Sequence, residues 1–142
     1  MESKGKVKLK DLKLDQKRLI NSFKYAFYGI GQAYIGEQNL KIHTFVALLV
    51  VGSGFFFEIS YVEWLICLVL IGLVLMAEFF NTSLEYVVDL VSPEFHPLAK
   101  AAKDTASAGV LMMAIISAVV GLIIFAPKGL EFIGGLLWKK NC

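Results

Sequence analysis

The stretch WLICLVLIGLVLMAEFFNTSLEYVVD, residues 64–89, sets the reading of the whole chain. Its first fourteen residues, Trp64 to Ala77, carry no charge, and no proline interrupts the run before Asp89. This is the pattern of a membrane-spanning helix that continues into a polar patch. At 100° per residue, Asn81, Thr82, Glu85 and Asp89 fall within roughly 60° of the direction set by Glu78. Phe79, Phe80, Leu84, Val87, Val88 and Leu90 point elsewhere. A charged side chain inside a spanning segment costs on the order of 2.5–3.5 kcal/mol, so the stripe faces protein, water or a ligand and reads as a functional site. A buried hydrogen-bond network between helices is the plainer alternative. Three acids without an equal number of nearby bases look more like a seat for a cation.

The rest of the composition agrees with a membrane protein. The chain has 142 residues, 57% of them hydrophobic, with a mean hydropathy of +0.67, which lies outside the soluble globular range. One domain is expected. Cys67 sits in an apolar run and Cys142 at the terminus, which makes neither a disulfide framework nor metal-ligand spacing. The net charge of +2 hides an asymmetry: eight of the fourteen basic residues precede Glu37. That end is expected in the cytoplasm, and no cleavable signal peptide is apparent, because the first apolar run begins only near Thr44.

Residues 1–14 read as a flexible basic tail, attracted to anionic lipid, with no nucleic-acid partner expected. Over 15–36, Leu19, Ile20, Phe23, Phe27 and Ile30 recur at helical spacing, which predicts an amphipathic surface helix. The first span is expected over 43–59, the second over 62–91 and the third over 98–126, with a C-terminal tail over 127–142. Between the first two spans, Glu58 to Glu63 holds no Lys or Arg and is flanked by Tyr61 and Trp64, as at an outer interface. Pro93 and Pro97 break the chain between the second and third. The fold class is therefore all-α, with three transmembrane helices and a surface helix. Lys128, Lys139 and Lys140 fall outside on this topology, outvoted by nine basic residues before the first span and by Lys100 and Lys103.

This arrangement gathers Glu37, Lys41, Glu78, Asn81, Glu85, Asp89, Lys100, Lys103 and Asp104 at the inner membrane face. A hard divalent ion needs oxygen ligands from more than one segment, which Glu37 and Glu85 can supply, and Lys103 can meet the phosphates that Mg²⁺ brings. Glu78, nearer the lipid, is free to take a proton. His43 and His96 have no companion ligand at metal spacing and read as interfacial hydrogen-bonding groups. No GxxxxGK[ST] loop and no glycine-rich kinase loop is present. Composition and spacing thus reach a membrane protein with an acidic and basic site at the cytoplasmic interface, and stop short of a reaction.

The run from Glu78 through Asn81, Thr82, Ser83 and Glu85 to Asp89 resembles E-x-x-N-[ST]-[AS]-[IVL]-E-x-x-x-D, the signature of the small prokaryotic diacylglycerol kinase and undecaprenol kinase family. Ala102-Lys103-Asp104, Glu94-Phe95-His96, and Arg18, Tyr25 and Glu37-Gln38-Asn39, taken as part of the N-terminal helix, sit at similar spacings. The likeness covers roughly residues 15–126, and position 82 is Thr where Ser is frequent. It implies an integral bacterial cell-membrane lipid kinase, a homotrimer whose sites are shared between neighbouring subunits, using ATP as co-substrate and Mg²⁺ as cofactor. It implies Glu78 as general base, Glu37 and Glu85 as magnesium ligands, and Asn81 orienting base or substrate. Lys103 and Asp104 would meet the ATP phosphates, Arg18, Tyr25, Glu94, Phe95 and His96 the nucleotide, while Asn39, Lys41 and Asp89 would bind substrate or support the site. Glu37 to His43 resembles the E-x-N-x-[KR]-I-H form of members acting chiefly on undecaprenol, which favours that acceptor over diacylglycerol. A proton- or ion-handling protein without enzymatic activity and a structural membrane subunit are the readings from other classes.

Overall fold

The computed structural model describes the backbone from residue 16 to 141 and the side chains as far as 135. The basic tail expected over 1–14 lies outside the described residues. Four helices follow one another: α1 (Gln16–Gly36), α2 (Gln38–Phe56), α3 (Tyr61–Val91) and α4 (Pro97–Asn141). The chain divides into two compact units after Gly36, so α1 stands as one and the α2–α4 bundle as the other.

Three helices are long and apolar enough to cross a membrane: Gln38–Phe56, Tyr61–Val91 and Pro97–Gly135. The chain is an integral membrane protein. At 1.5 Å per residue, α3 is about 46 Å long, against about 30 Å of hydrocarbon, so its last turns emerge from the bilayer. Measured from Tyr61, Glu78 lies at about 26 Å, Glu85 at about 36 Å and Asp89 at about 42 Å along that axis. With Tyr61 set at one hydrocarbon boundary, about 30 Å of helix ends near residue 81, which puts Glu78 close to the far boundary and Glu85 and Asp89 beyond it.

The α2–α3 hairpin is set by local chemistry. Glu58 takes a left-handed φ of 49° in the turn. Ser60 then caps α3: its hydroxyl accepts from Glu63 N, and the Glu63 carboxylate accepts from Ser60 N at 2.7 Å. Gly54 lets the helices close up, because a Cβ there would lie 2.8 Å from the Trp64 ring. Ile59, Cys67 and Ile124 form the buried cluster at this end, with Phe57, Trp64 and Phe125 packed on it.

α3 and α4 run antiparallel and are pinned at both ends. Lys103 Nζ lies 2.6 Å from Asp89 and Lys128 Nζ lies 3.5 Å from Glu63. The paired residues are about 39 Å apart along α3 and about 38 Å apart along α4, so the two helices keep step across the membrane.

Two boundaries differ from expectation. Glu37, Gln38 and Asn39 do not belong to the N-terminal helix. Glu37 is the extended N-cap residue of α2 (φ −104°, ψ 118°), which starts at Gln38, five residues ahead of the expected 43. Gln38, Asn39 and Lys41 interrupt the apolar pattern without interrupting the helix, since a first turn at the interface accepts polar side chains. At the other end, α4 does not stop at residue 126. It passes through Pro127 to Asn141, since a proline removes one backbone bond, and Lys128 and Phe132 beyond it find partners in Glu63 and Phe56.

Candidate active site

Each polar residue of the stripe on α3 has a defined environment in the α2–α4 bundle. Glu78 is 1% exposed, and Thr82, also buried, returns its hydroxyl to the Glu78 carbonyl at 3.0 Å. Asn81 is buried and donates from Nδ2 to Glu85 Oε1 at 2.8 Å, while its own Oδ1 has no hydrogen-bond partner among the described residues. Glu85 is half-buried. One helical turn on, Asp89 is exposed and holds Lys103 of α4. The 3.6-residue repeat alone puts Glu78, Asn81, Glu85 and Asp89 in one column.

α2 contributes from the side. The charges of Glu37 and Glu85 both act on Glu78, and that of Glu85 reaches Lys103 as well, so three helices meet in one electrostatic neighbourhood. His43 Nε2 stands 3.2 Å from Glu78 Oε1. That distance suits a charge pair, yet the alignment of a hydrogen bond is not met, and Oε1 is left without a hydrogen-bond partner among the described residues. His43 also borders an apolar cavity of about 620 Å³ between α2, α3 and α4, walled by Val46, Val50, Leu70, Val74 and Leu122. Ser117, buried at its hydroxyl and without a hydrogen-bond partner among the described residues, faces the same space.

The structure thus brings together Glu37, Glu78, Asn81, Glu85, Asp89 and Lys103. Within the α2–α4 bundle it sets several others apart from them. Asp104 pairs with Lys100 one turn away on α4, both well exposed, while its sequence neighbour Lys103 turns to Asp89. Glu94, Phe95 and His96 lie exposed in the α3–α4 connection, where His96 Nδ1 accepts from Leu98 N and helps start α4. Asn39 and Lys41 are exposed on the first turns of α2. Arg18 and Tyr25 are exposed on α1, in the other unit.

The sequence reads His43 as an interfacial hydrogen-bonding group, and its contact with Glu78 is what sequence reasoning did not find. No periodicity links it to Glu78, thirty-five residues away, and only its place in the E-x-N-x-[KR]-I-H run set it apart. Among the described residues no three metal-binding side chains converge. Mg²⁺ takes one or two carboxylates and fills its other positions with water and substrate phosphate. The half-buried Glu37, whose side chain makes no cap hydrogen bond, and Glu85 have the donor type required.

A spanning bundle with carboxylates and a lysine gathered at one end is the site of a membrane protein that handles a charged reactant beside an apolar one. The chain matches the family model described as prokaryotic diacylglycerol kinase over residues 24–125, and it belongs to that family. It is 42% identical to the undecaprenol kinase of Bacillus subtilis over 119 residues, 84% of this chain and 97% of that one. It is 36% identical to a diacylglycerol kinase of Synechocystis over 77% of this chain and 63% of the relative. To the diacylglycerol kinase of Haemophilus influenzae it is 33% identical over 75% and 92%. The protein is a lipid kinase, and a non-enzymatic ion-handling role finds no support among these relatives.

Proposed function

We propose that the protein transfers the γ-phosphoryl group of ATP to the hydroxyl of undecaprenol, with diacylglycerol the lesser acceptor, at the cytoplasmic face of the bacterial cell membrane. The observation that carries this reading is a carboxylate, Glu78, that is 1% exposed, acted on by the charges of Glu37 and Glu85, and in contact with His43, which borders the apolar cavity between α2, α3 and α4. The undecaprenol kinase of Bacillus subtilis supports the choice of acceptor.

Glu78 takes the hydroxyl proton as the lipid oxygen attacks the γ-phosphorus. Asn81 fixes Glu85 through its 2.8 Å hydrogen bond and keeps that carboxylate turned toward the site. Glu37 and Glu85 would hold Mg²⁺, which when bound neutralises phosphate charge. Lys103 leaves Asp89 to meet the phosphates, and Asp89 otherwise keeps the ammonium poised at the rim. Arg18 and Tyr25 of α1, Asn39 and Lys41 of α2, the Glu94–His96 connection and Asp104 would line the nucleotide and headgroup side, with α1 on the membrane surface. The abundance of exposed apolar side chains, with only seven hydrophobic residues buried among those described, suits lipid and neighbouring copies, in keeping with a homotrimer with shared sites.

The test is transfer of labelled phosphate from ATP in mixed micelles offered undecaprenol or diacylglycerol. Magnesium-dependent labelling of both, faster on undecaprenol, is expected. Absence of transfer to either lipid by folded protein overturns the reading, and a preference for diacylglycerol overturns the acceptor.

A further inference from the structure

A buried base has a second task besides taking a proton, which is to lose it again before the next turnover. Glu78 is 1% exposed, and the mostly apolar cavity that begins at Val74 and Leu75, one helical turn away, has no acidic side chain in its lining. His43, whose side chain is 24% exposed, touches the carboxylate and is the less buried of the two groups. The contact joins Nε2 to Oε1, a buried oxygen with no hydrogen-bond partner among the described residues. Two bare lone pairs at 3.2 Å would repel, so the contact is one that a single shared proton satisfies. The distance is within the range across which a proton passes between heavy atoms.

We infer that His43 takes from Glu78 the proton that the acceptor hydroxyl has given up, and so resets the base. This rests on the proposed role of Glu78. In the chemical step the lipid O–H bond breaks, its proton joins Glu78, the lipid oxygen bonds to the γ-phosphorus, and the bond from that phosphorus to the ADP oxygen breaks. The Glu78 O–H bond then breaks, the electron pair stays on Oε1, and the proton bonds to Nε2 of neutral His43. The Nδ1 proton then leaves to solvent, and proton exchange with water returns the ring to the tautomer with Nε2 bare before the next turnover. Glu37 and Glu85 act on Glu78 through space from α2 and α3, and Lys41 lies on the same helix as His43. α4 turns Ala114, Ser117 and Ala118, none of them titratable, to the cavity. His43 acts through Glu78 and is not placed against the substrate.

The experiment compares wild type, His43→Ala and His43→Gln in the ATP-to-undecaprenol assay, with and without added imidazole. His43→Ala is expected to lose roughly tenfold to a hundredfold in kcat, at the low end of what proton transfer contributes, with KM for MgATP little changed. His43→Gln, able to hydrogen-bond but unable to carry a proton, should be as impaired. Imidazole should restore His43→Ala in a saturable way, while pyrazole, of similar shape and far weaker basicity, should not. Full activity in His43→Gln, or failure of imidazole to rescue a His43→Ala protein that still binds MgATP, overturns the inference. A wild-type enzyme that phosphorylates neither lipid would instead overturn the kinase assignment beneath it.

Discussion

Glu78, Asn81, Glu85 and Asp89 were legible in the sequence because one periodicity fixes them all: a helix that keeps its phase over twelve residues puts them in a column. Lys103 was legible only as a base at a similar depth. That it turns to Asp89 while Lys100 takes Asp104 is a matter of the angle at which α4 passes α3, on which spacing along the chain is silent. The pairing of His43 with Glu78 was missed for the same reason, as a contact between helices. At this scale Lys103→Ala should raise KM for ATP and lower kcat by about 10²–10³-fold, the usual loss when one group stabilising developing charge is removed. Asp89→Asn, which only unties the lysine, should cost less in kcat than Lys103→Ala. Steady-state kinetics on the two variants decides it, and an Asp89→Asn loss equal to that of Lys103→Ala would give Asp89 a direct part in the reaction.

The helices themselves were largely foreseen, since uncharged runs of fourteen to twenty-two residues admit few alternatives. Their ends were not. α2 begins early because polar residues at the interface do not end a helix, and α4 crosses Pro127 because contacts beyond the proline outweigh one missing hydrogen bond. Close approach was also invisible: nothing in the sequence says that Gly54, alone among the described glycines, stands against a Trp ring. Gly54→Ala should destabilise the bundle by about 1–3 kcal/mol, as overpacking does, and lower the unfolding temperature in detergent. An unchanged temperature would mean the ring moves aside freely. Deleting residues 129–142 should also lower that temperature, by removing the contact of Phe132 with Phe56 at 5.3 Å. Turnover should stay within about twofold, since the active site is about 38 Å away along α4. A collapse of turnover would assign the extension a role in the site.

For the whole molecule, class and membrane residence followed from composition and hydropathy, whereas the assembly did not. Few apolar residues are buried within the chain, and sequence cannot divide the exposed remainder between lipid and neighbouring copies. Orientation is open to direct measurement through the two connections. A cysteine placed at Glu58 should react with an impermeant maleimide added to intact cells, and one placed at Glu94 only after permeabilisation. The reverse pattern would put the carboxylates on the wrong side for cytoplasmic ATP. The central claim is that Glu78 does the proton chemistry while its neighbours hold the nucleotide, and Glu78→Gln separates these most directly. Measured together, phosphoryl transfer to undecaprenol should fall by about 10²–10⁴-fold while Mg-dependent affinity for ATP stays near that of the wild type. Transfer that persists in Glu78→Gln protein would contradict it.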